Sequence, residues 1–187
     1  MNGLRPWLVL WFVVASSVVV FASGNITVTP IQSGTGVVLS FNARDTWTLA
    51  TRQFLQAGTT VIFDYVVELR RPGSLPFSLS DSVLARTLVT TTAKLDTLVR
   101  KYSVSKMRSG SVFVSDYLTQ ETEVKDWLTT FARVELEPTS PLEPNVEYYV
   151  YVGLTIRPKK SVPSLFSLLL PFGREENSGR GSITYIK

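Results

Sequence analysis

The sequence contains no histidine and no cysteine among its 187 residues. Without an imidazole there is no Ser-His-Asp triad, no histidine general base and no histidine metal ligand. Without a thiol there is no cysteine nucleophile, no thiolate zinc site and no disulfide. Any catalysis would therefore depend on carboxylates, a Ser–Lys dyad or an oxygen-ligated cation. We expect a non-catalytic protein that has no cofactor and no metal, and whose fold is stabilised by its hydrophobic core.

The sequence also lacks a concentrated charge of either sign. Lys and Arg number 19 and Asp and Glu number 15, a formal net charge of +4. Adjacent basic residues occur only at widely separated places, such as Arg70 with Arg71 and Lys159 with Lys160. Nucleic-acid binding requires Lys and Arg clustered on one face, so we expect no nucleic-acid partner. No P-loop, dinucleotide-binding or EF-hand pattern is present.

The first 24 residues form a long apolar run that carries a single charge, Arg5. A secretory signal has an apolar core of about 7 to 15 residues, whereas a spanning helix needs roughly 17 to 25. The small residues Ala22, Ser23 and Gly24 favour cleavage, and the tryptophans and β-branched residues favour a retained anchor. We favour the anchor, which would consist of Trp7, Leu8, Val9, Leu10, Trp11, Phe12, Val13, Val14, Val18, Val19, Val20 and Phe21.

The charge distribution predicts the orientation of this segment. Arg5 and the amino terminus precede the apolar run, and no charge follows it until Arg44. By the positive-inside tendency the N-terminus is cytoplasmic and residues 25–187 form one exported domain. We expect a single-pass inner-membrane protein with its domain in the periplasm, or a periplasmic protein if the chain is cleaved after Gly24.

Alternation of apolar and polar residues runs through most of the exported domain and predicts half-buried strands. The clearest example has Val146, Tyr148, Val150, Val152, Leu154 and Ile156 on one face. Residues 94–97 and 108–110 are expected to be turns. The other predicted strands are residues 26–30, 37–42, 61–70, 84–92, 98–106, 112–114, 134–136 and 183–186.

Two segments have helical spacing instead. One presents apolar residues at i, i+3, i+4 and i+7, namely Val124, Trp127, Leu128 and Phe131. The other is residues 47–57, with Gly58 as its C′ residue; an irregular loop is the alternative there. We therefore expect a mainly β (α+β) fold, preceded by one N-terminal hydrophobic helix. It would be an antiparallel β-sandwich with two short helices, or one strongly curved sheet wrapped on them.

Several stretches occur in an order that resembles a known family. They are "LATRQFLQAGTTVIFDYVVELRRP", Arg86 in a Thr-rich strand, "LVRKYSVS", "WLTTF" and "LEPNVEYYVYVGLTIRP". Over roughly residues 26–187 the chain resembles a bacterial family catalogued as domain of unknown function 4390. The resemblance implies an N-terminal hydrophobic segment followed by a single exported domain. It implies no activity, cofactor or catalytic residue.

Paired carboxylates are the first candidates for chemistry. Asp64 and Glu68 share a face of one strand, about 13 Å apart at about 3.3 Å per residue, which is too far for a retaining glycosidase pair. Glu135 and Glu137 also share a face, about 7 Å apart. We expect both pairs to lie on solvated faces.

A Ser–Lys dyad is the second candidate. The sequence places Ser103 and Ser105 close to Lys106. Alternation puts Ser105 and Lys106 on opposite faces of the strand, and a catalytic lysine would need burial to lower its pKa. We therefore do not expect a dyad.

A short apolar segment near the C-terminus is a candidate contact surface. In "KKSVPSLFSLLLPFGR", residues 159–174, basic residues flank the apolar Leu165, Phe166, Leu168, Leu169, Leu170 and Phe172. The segment is too short to span a membrane, but it suits a membrane interface or a protein partner. The alternative is an edge segment buried against the domain core. Residues 175–181 are expected to be a polar, glycine-rich loop.

Three functions follow from these features. The first is a non-catalytic, membrane-anchored periplasmic accessory or assembly subunit of a membrane protein complex. The second is a periplasmic module that senses a ligand or stress together with a membrane signalling protein, and it requires a cavity with converging polar groups. The third and least favoured is a carboxylate-dependent hydrolase, which needs two acids about 5 to 10 Å apart in a cleft.

Overall fold

The computed structural model describes residues 25–73, 81–159 and 175–184. In these ranges the fold is mainly β, as predicted, with two antiparallel sheets and two α-helices. The strands are β1 (Thr27–Ser33), β2 (Gly36–Asn42), β3 (Val61–Arg71), β4 (Ser82–Asp96), β5 (Lys101–Arg108), β6 (Ser111–Leu118), β7 (Thr130–Leu136), β8 (Glu147–Pro158) and β9 (Glu175–Thr184); the helices are α1 (Leu49–Gln56) and α2 (Glu121–Thr129).

The predicted N-terminal helix and the apolar residues 165–172 lie outside the described residues. Across the three described ranges, no helix is both long and apolar enough to cross a membrane. These ranges form a folded unit with its own hydrophobic core.

The larger sheet has six strands in the order β6-β5-β4-β3-β8-β9. The alternation in β3 determines its faces, because Phe63, Tyr65 and Val67 are completely buried on one side. In register, Tyr65 pairs with Val89 of β4 and Leu154 of β8, which are also buried. We call the face that carries these side chains the inner face.

The smaller sheet, in the order β1-β2-β7, lies against this inner face. The ring of Phe41 on β2 is 5.0 Å from the ring of Tyr65 and 4.5 Å from that of Phe131 on β7. Val37 and Leu39 of β2 are buried in the same cluster. The alternation predicted for β2 is therefore confirmed, and the core of the domain is the layer between the two sheets.

Both helices are capped by their own sequence. At α1, the side chain of Thr48 accepts a hydrogen bond from the backbone N–H of Thr51. Gly58 follows the helix with a φ of +73°, the left-handed conformation that a C′ glycine adopts readily. At α2, Gln120 and Glu123 form a capping box.

The predicted end of α2 was wrong. The helix ends at Thr129, because Thr130 is extended with φ −120° and ψ 130°. Phe131 therefore belongs to β7, where it pairs with Phe41. The backbone N–H of Ala43 donates to the carbonyl of Thr129 at 2.8 Å, so pairing with β2 begins directly at the helix end.

Two predicted connections were also wrong. β4 continues through Lys94 to Asp96, which pairs with Lys101, so the turn is residues 97–100 rather than 94–97. Residues 175–181 form β9 rather than a loop. In β9, the lack of a side chain at Gly179 and Gly181 lets the backbone of β1 approach closely.

Candidate functional site

β6 is an open edge of the six-stranded sheet. It pairs with β5 on one side, and no other described strand pairs with it. Every residue of β6 is exposed except Leu118, which is half-buried. Four large apolar side chains of this strand are 41% to 70% exposed, namely Val112, Phe113, Val114 and Tyr117. We call residues 111–118 the β6 edge.

A tight hairpin holds the β6 edge in place. Ser109 and Gly110 both have positive φ, 49° and 87°, as the turn residues of a type I′ hairpin do. The backbone N–H of Ser109 also donates to the carbonyl of Leu88 on β4 at 2.9 Å. The register with β5 shifts beside Phe113, which has no partner residue in the ladder. The strand is thus fixed on the β5 side and open on the other.

The β6 edge lacks most of the features that usually prevent strand pairing. Edge strands commonly carry lysine, proline or an inward-pointing charge. β6 has one charged residue, Asp116, and its carboxylate accepts a hydrogen bond from the backbone N–H of Tyr117 at 2.7 Å. An edge with apolar side chains and unpaired backbone groups is suited to bind an added strand.

Lys106 lies behind this edge, on the inner face of β5. Its ammonium is 4.4 Å from the ring centroid of Phe131 and 5.0 Å from that of Trp127, and it donates to the carbonyl of Thr130 at 3.2 Å. Burial lowers the pKa of Lys106. Ser105 lies on the opposite face, where its hydroxyl is 2.7 Å from that of Thr92. The serine and the lysine therefore do not meet, as the alternation predicted.

The hydroxyls of two inner-face side chains attach α2 to the sheet. The hydroxyl of Tyr65 donates to the carbonyl of Leu128 at 2.8 Å, and that of Thr91 reaches the same carbonyl at 3.3 Å. Burial raises the pKa of Tyr65 well above its ordinary value. The helix is therefore fixed to β4 and β3, the third and fourth strands of the sheet counted from β6.

The prediction that Asp64 and Glu68 lie on a solvated face was wrong for Glu68. Its side chain is buried, and its carboxylate forms ion pairs with Arg70 and Arg86, at N···O distances of 2.5 Å and 3.5 Å. The guanidinium of Arg70 also lies 4.4 Å from the ring centroid of Tyr151 on the next strand, so it covers the carboxylate. Asp64 is half-buried, and Arg157 and Thr90 donate to it at 2.8 Å and 2.7 Å. Both acids are neutralised rather than free for acid–base chemistry.

A further polar cluster on the outer face of the sheet was not predicted. The hydroxyl of Tyr149 donates to the carboxylate of Asp81, which also accepts from the backbone N–H of Gly73 at 3.2 Å. These two hydrogen bonds lower the pKa of Asp81. Arg180 of β9 lies 5.2 Å from the ring centroid of Tyr149. The partners come from distant parts of the chain, so no local pattern indicated them.

Glu135 and Glu137 are exposed, as predicted. They line a groove of about 560 Å³ between the β1–β2 turn and the segment after β7. The lining is rich in hydroxyl groups, including those of Ser33, Thr35 and Thr139. Arg133 forms an ion pair with Glu135 at an N···O distance of 2.8 Å. Within residues 25–73, 81–159 and 175–184, acidic side chains do not form a group of three or more that could hold a metal ion.

The predicted anchor residues and the predicted contact residues 165–172 fall outside the described part of the chain, so the structure brings none of them to a site. The β6 edge was missed because Val112, Phe113 and Val114 looked like an ordinary hairpin strand. The available signal was composition: three consecutive apolar residues in a strand with one charge, which suits an exposed edge poorly.

Comparison with known proteins identifies one family. A family model described as domain of unknown function (DUF4390) matches residues 22–178. No curated protein and no solved structure matches the chain.

Proposed function

The chain belongs to the DUF4390 family, and we propose that it is a non-catalytic accessory or assembly subunit of a membrane protein complex. In this proposal the apolar residues 1–24 anchor it in the inner membrane, and residues 25–187 act in the periplasm. The partner protein adds an extended strand to the β6 edge. The observation that supports this function most directly is that β6 is exposed and pairs with a described strand on one side only.

The chemistry of the edge favours an extended protein segment over a lipid surface. Strand addition would satisfy the unpaired N–H and C=O groups of β6, whereas a lipid environment would leave them without hydrogen bonds. The exposed side chains of Val112, Val114 and Tyr117 would contact apolar residues of the added strand.

The charge of the hairpin indicates what the partner segment contains. Residues 101–118 carry three basic side chains, Lys101, Lys106 and Arg108, and one acidic one, Asp116. A partner strand that alternates apolar with acidic residues would complement this net charge of +2. A second copy of the chain would place two such positive hairpins next to each other, which is unfavourable.

Photo-crosslinking in native membranes tests this proposal. A photoreactive phenylalanine analogue replaces Phe113 in the full chain, and in a matched control it replaces Ile31, which is exposed on the edge strand β1. We expect Phe113 to cross-link to one membrane-complex protein through an extended segment, and Ile31 not to. Hydrogen exchange of the β6 amides should slow when a synthetic peptide of that segment is added.

Affinity for that peptide gives the second measurement. V112E/F113E should weaken binding by about tenfold or more, because two carboxylates on the β6 edge would repel an acidic partner strand and the apolar contacts of both side chains would be lost. I31E should leave binding unchanged. Cross-linking of Phe113 to a second copy of the chain, or to no protein at all, would contradict the proposal.

The groove lined by Glu135 and Glu137 favours a second candidate, a module that senses a small polar ligand. Carboxylates and hydroxyls in the lining suit a cationic or polyhydroxy compound. Thermal unfolding of the full chain with a panel of polyamines, basic amino acids and sugars would test this. A ligand-dependent rise in Tm that E135Q/E137Q abolishes would support sensing, and no rise with any compound would contradict it.

A further inference from the structure

The turn between β4 and β5 is a second exposed surface, separate from the β6 edge. Leu98 is 92% exposed, a higher fraction than for any other large apolar side chain of the described residues, and Val99 is also exposed. Lys94 precedes the turn, and Arg100 and Lys101 follow these two residues. We call residues 94–101 the β4–β5 tip.

Two backbone amides of the tip are hydrogen-bonded within the protein. The carboxylate of Asp96 accepts hydrogen bonds from the backbone N–H groups of Leu98 and Val99, at 2.9 Å and 3.3 Å. Arg100 has a φ of +54°, which reverses the chain into β5. The tip therefore presents apolar side chains without the open backbone edge that β6 has. Such a turn can enter an interfacial lipid layer without losing the hydrogen bonds of these two amides.

The cations of the tip are not neutralised. In the described part of the chain, no carboxylate lies within 4.0 Å of the side-chain nitrogens of Lys94, Arg100 or Lys101, in contrast to the paired Arg70 and Arg157. With Asp96 included, the tip carries three positive charges and one negative charge. Exposed apolar side chains flanked by unpaired cations are the composition of an anionic-lipid contact.

The position of the tip in the fold agrees with this composition. Thr97 lies beside Gly58, the residue that ends α1. At the same end of the sheet, the backbone N–H of Lys159 donates to the carbonyl of Thr60 at 2.7 Å. In the sequence, Lys159 begins the basic-flanked apolar segment that was predicted to contact a membrane or a partner.

We propose that the β4–β5 tip binds an anionic membrane surface, with Leu98 and Val99 in the headgroup layer and Lys94, Arg100 and Lys101 against lipid phosphates. This contact would be a second attachment to the membrane and would limit how the domain is oriented. It goes beyond the proposed function, because it requires neither the β6 edge nor a partner protein.

Single-cysteine labelling tests the contact, since the chain has no cysteine of its own. An environment-sensitive fluorophore is attached at L98C in the full chain, reconstituted into phosphatidylglycerol/phosphatidylethanolamine vesicles or into phosphatidylcholine vesicles. The matched control is L49C, another exposed leucine, at the start of α1. We expect a blue shift and quenching by lipid-attached nitroxides at L98C in anionic vesicles, and water-like emission at L49C in both.

Charge variants measure the role of the cations. R100E/K101E in the L98C background should lower the equilibrium constant for tip contact by about 25-fold or more, from about fivefold for each cation lost. R44E/R133E changes the net charge equally at two exposed arginines outside the tip and should leave the contact intact. Water-like emission at L98C in anionic vesicles would overturn the proposal, and so would an equal blue shift in phosphatidylcholine vesicles. A blue shift that appears only when a partner protein is present would assign the tip to that protein and would also overturn the proposal.

Discussion

The two edges of the six-stranded sheet are built in opposite ways. At one edge, β9 lies against β1, and a Cβ atom on Gly179 would stand 2.0 Å from the carbonyl oxygen of Ile26. A Cβ atom on Gly181 would stand 2.7 Å from the carbonyl oxygen of Val28. At the other edge, β6 exposes its side chains on both faces. One edge is covered by the chain's own first strand, and the other is not covered by any strand of the described residues.

The distribution of charge follows the same division. The two carboxylates of β3 form ion pairs with arginines, Asp64 with Arg157 of β8 and Glu68 with Arg70. Around β5, Lys94, Arg100 and Lys101 have no such partner among the described residues. Edges that remain open invite pairing with other chains, and proteins usually protect them. The contrast indicates that the β9 side maintains the fold, whereas the β5–β6 side is available for contacts with other molecules.

The largest effect is expected at the closed edge. G179A should destabilise the domain by about 3 kcal/mol or more, because a new methyl group would overlap the backbone of Ile26. Urea unfolding of the full chain measures it, with S178A at the adjacent exposed position as control. A loss below about 1 kcal/mol would mean that β1 can move away from β9, and the two edges would then differ less than we describe.

The next effect concerns the paired charges. E68Q should destabilise the domain by about 1 to 2 kcal/mol, less than the loss of a fully buried pair because Arg70 is partly exposed. E135Q removes one partner of an exposed pair, Arg133 with Glu135, and should change stability by no more than about 0.5 kcal/mol. Equal effects of the two variants in urea unfolding would mean that burial does not strengthen the pairing of Glu68 with Arg70.

A smaller and pH-dependent effect is expected at Lys106. Its pKa is lowered by burial, so the unfolded chain binds the proton more tightly than the folded one. The resulting penalty is fully present at neutral pH and is relieved as the pH rises toward the ordinary value of 10.5. K106M removes the penalty but also removes two cation–π contacts. The net change in the free energy of unfolding at neutral pH should therefore stay within about 1 kcal/mol.

The decisive measurement for Lys106 is the slope of stability against pH. Between pH 8 and about pH 10.5, the stability of the wild-type chain should increase relative to that of K106M. K94M, at an exposed position on the neighbouring strand, reports the effect of removing a surface lysine. A parallel pH dependence of wild type and K106M would show that burial of Lys106 has no energetic consequence.

The smallest effect on stability is expected at the open edge. V112S/F113S should change the free energy of unfolding by no more than about 0.5 kcal/mol, because both side chains are exposed. The same variant should bind the partner peptide more weakly than the wild-type chain, as measured by titration, because it has fewer apolar groups on an unpaired strand. A loss of more than 1 kcal/mol would place these side chains in the core instead.

Much of the fold could be predicted from local patterns. Alternation identified the buried faces of β2, β3 and β8, since a strand with one covered face repeats every two residues. Gly58 marked the end of α1, since a left-handed C′ position favours glycine. Phe131 was assigned to the wrong element because it continues the helical spacing by chance, and only its pairing with Phe41 on a distant strand identifies it as part of β7.

The candidate site was much less predictable. Whether β6 is an edge depends on the order of strands in the sheet, which no local spacing specifies. Glu68 alternates as a solvated residue, yet Arg70 and Tyr151 from two strands cover it. The predicted contacts at the N-terminus and at residues 165–172 remain predictions.

The sequence by itself determined most of the secondary structure and the apolar faces that must be buried, because both follow largely from interactions between residues a few positions apart. It also limited the chemistry, because a chain without histidine and cysteine lacks two kinds of reactive side chain. Only the tertiary structure decided which edge is closed, which charges are paired and that the last strand begins at Glu175. Those outcomes depend on contacts between residues far apart in the chain, such as Ile26 with Gly179, and the energy of such a contact exists only once the strands have come together.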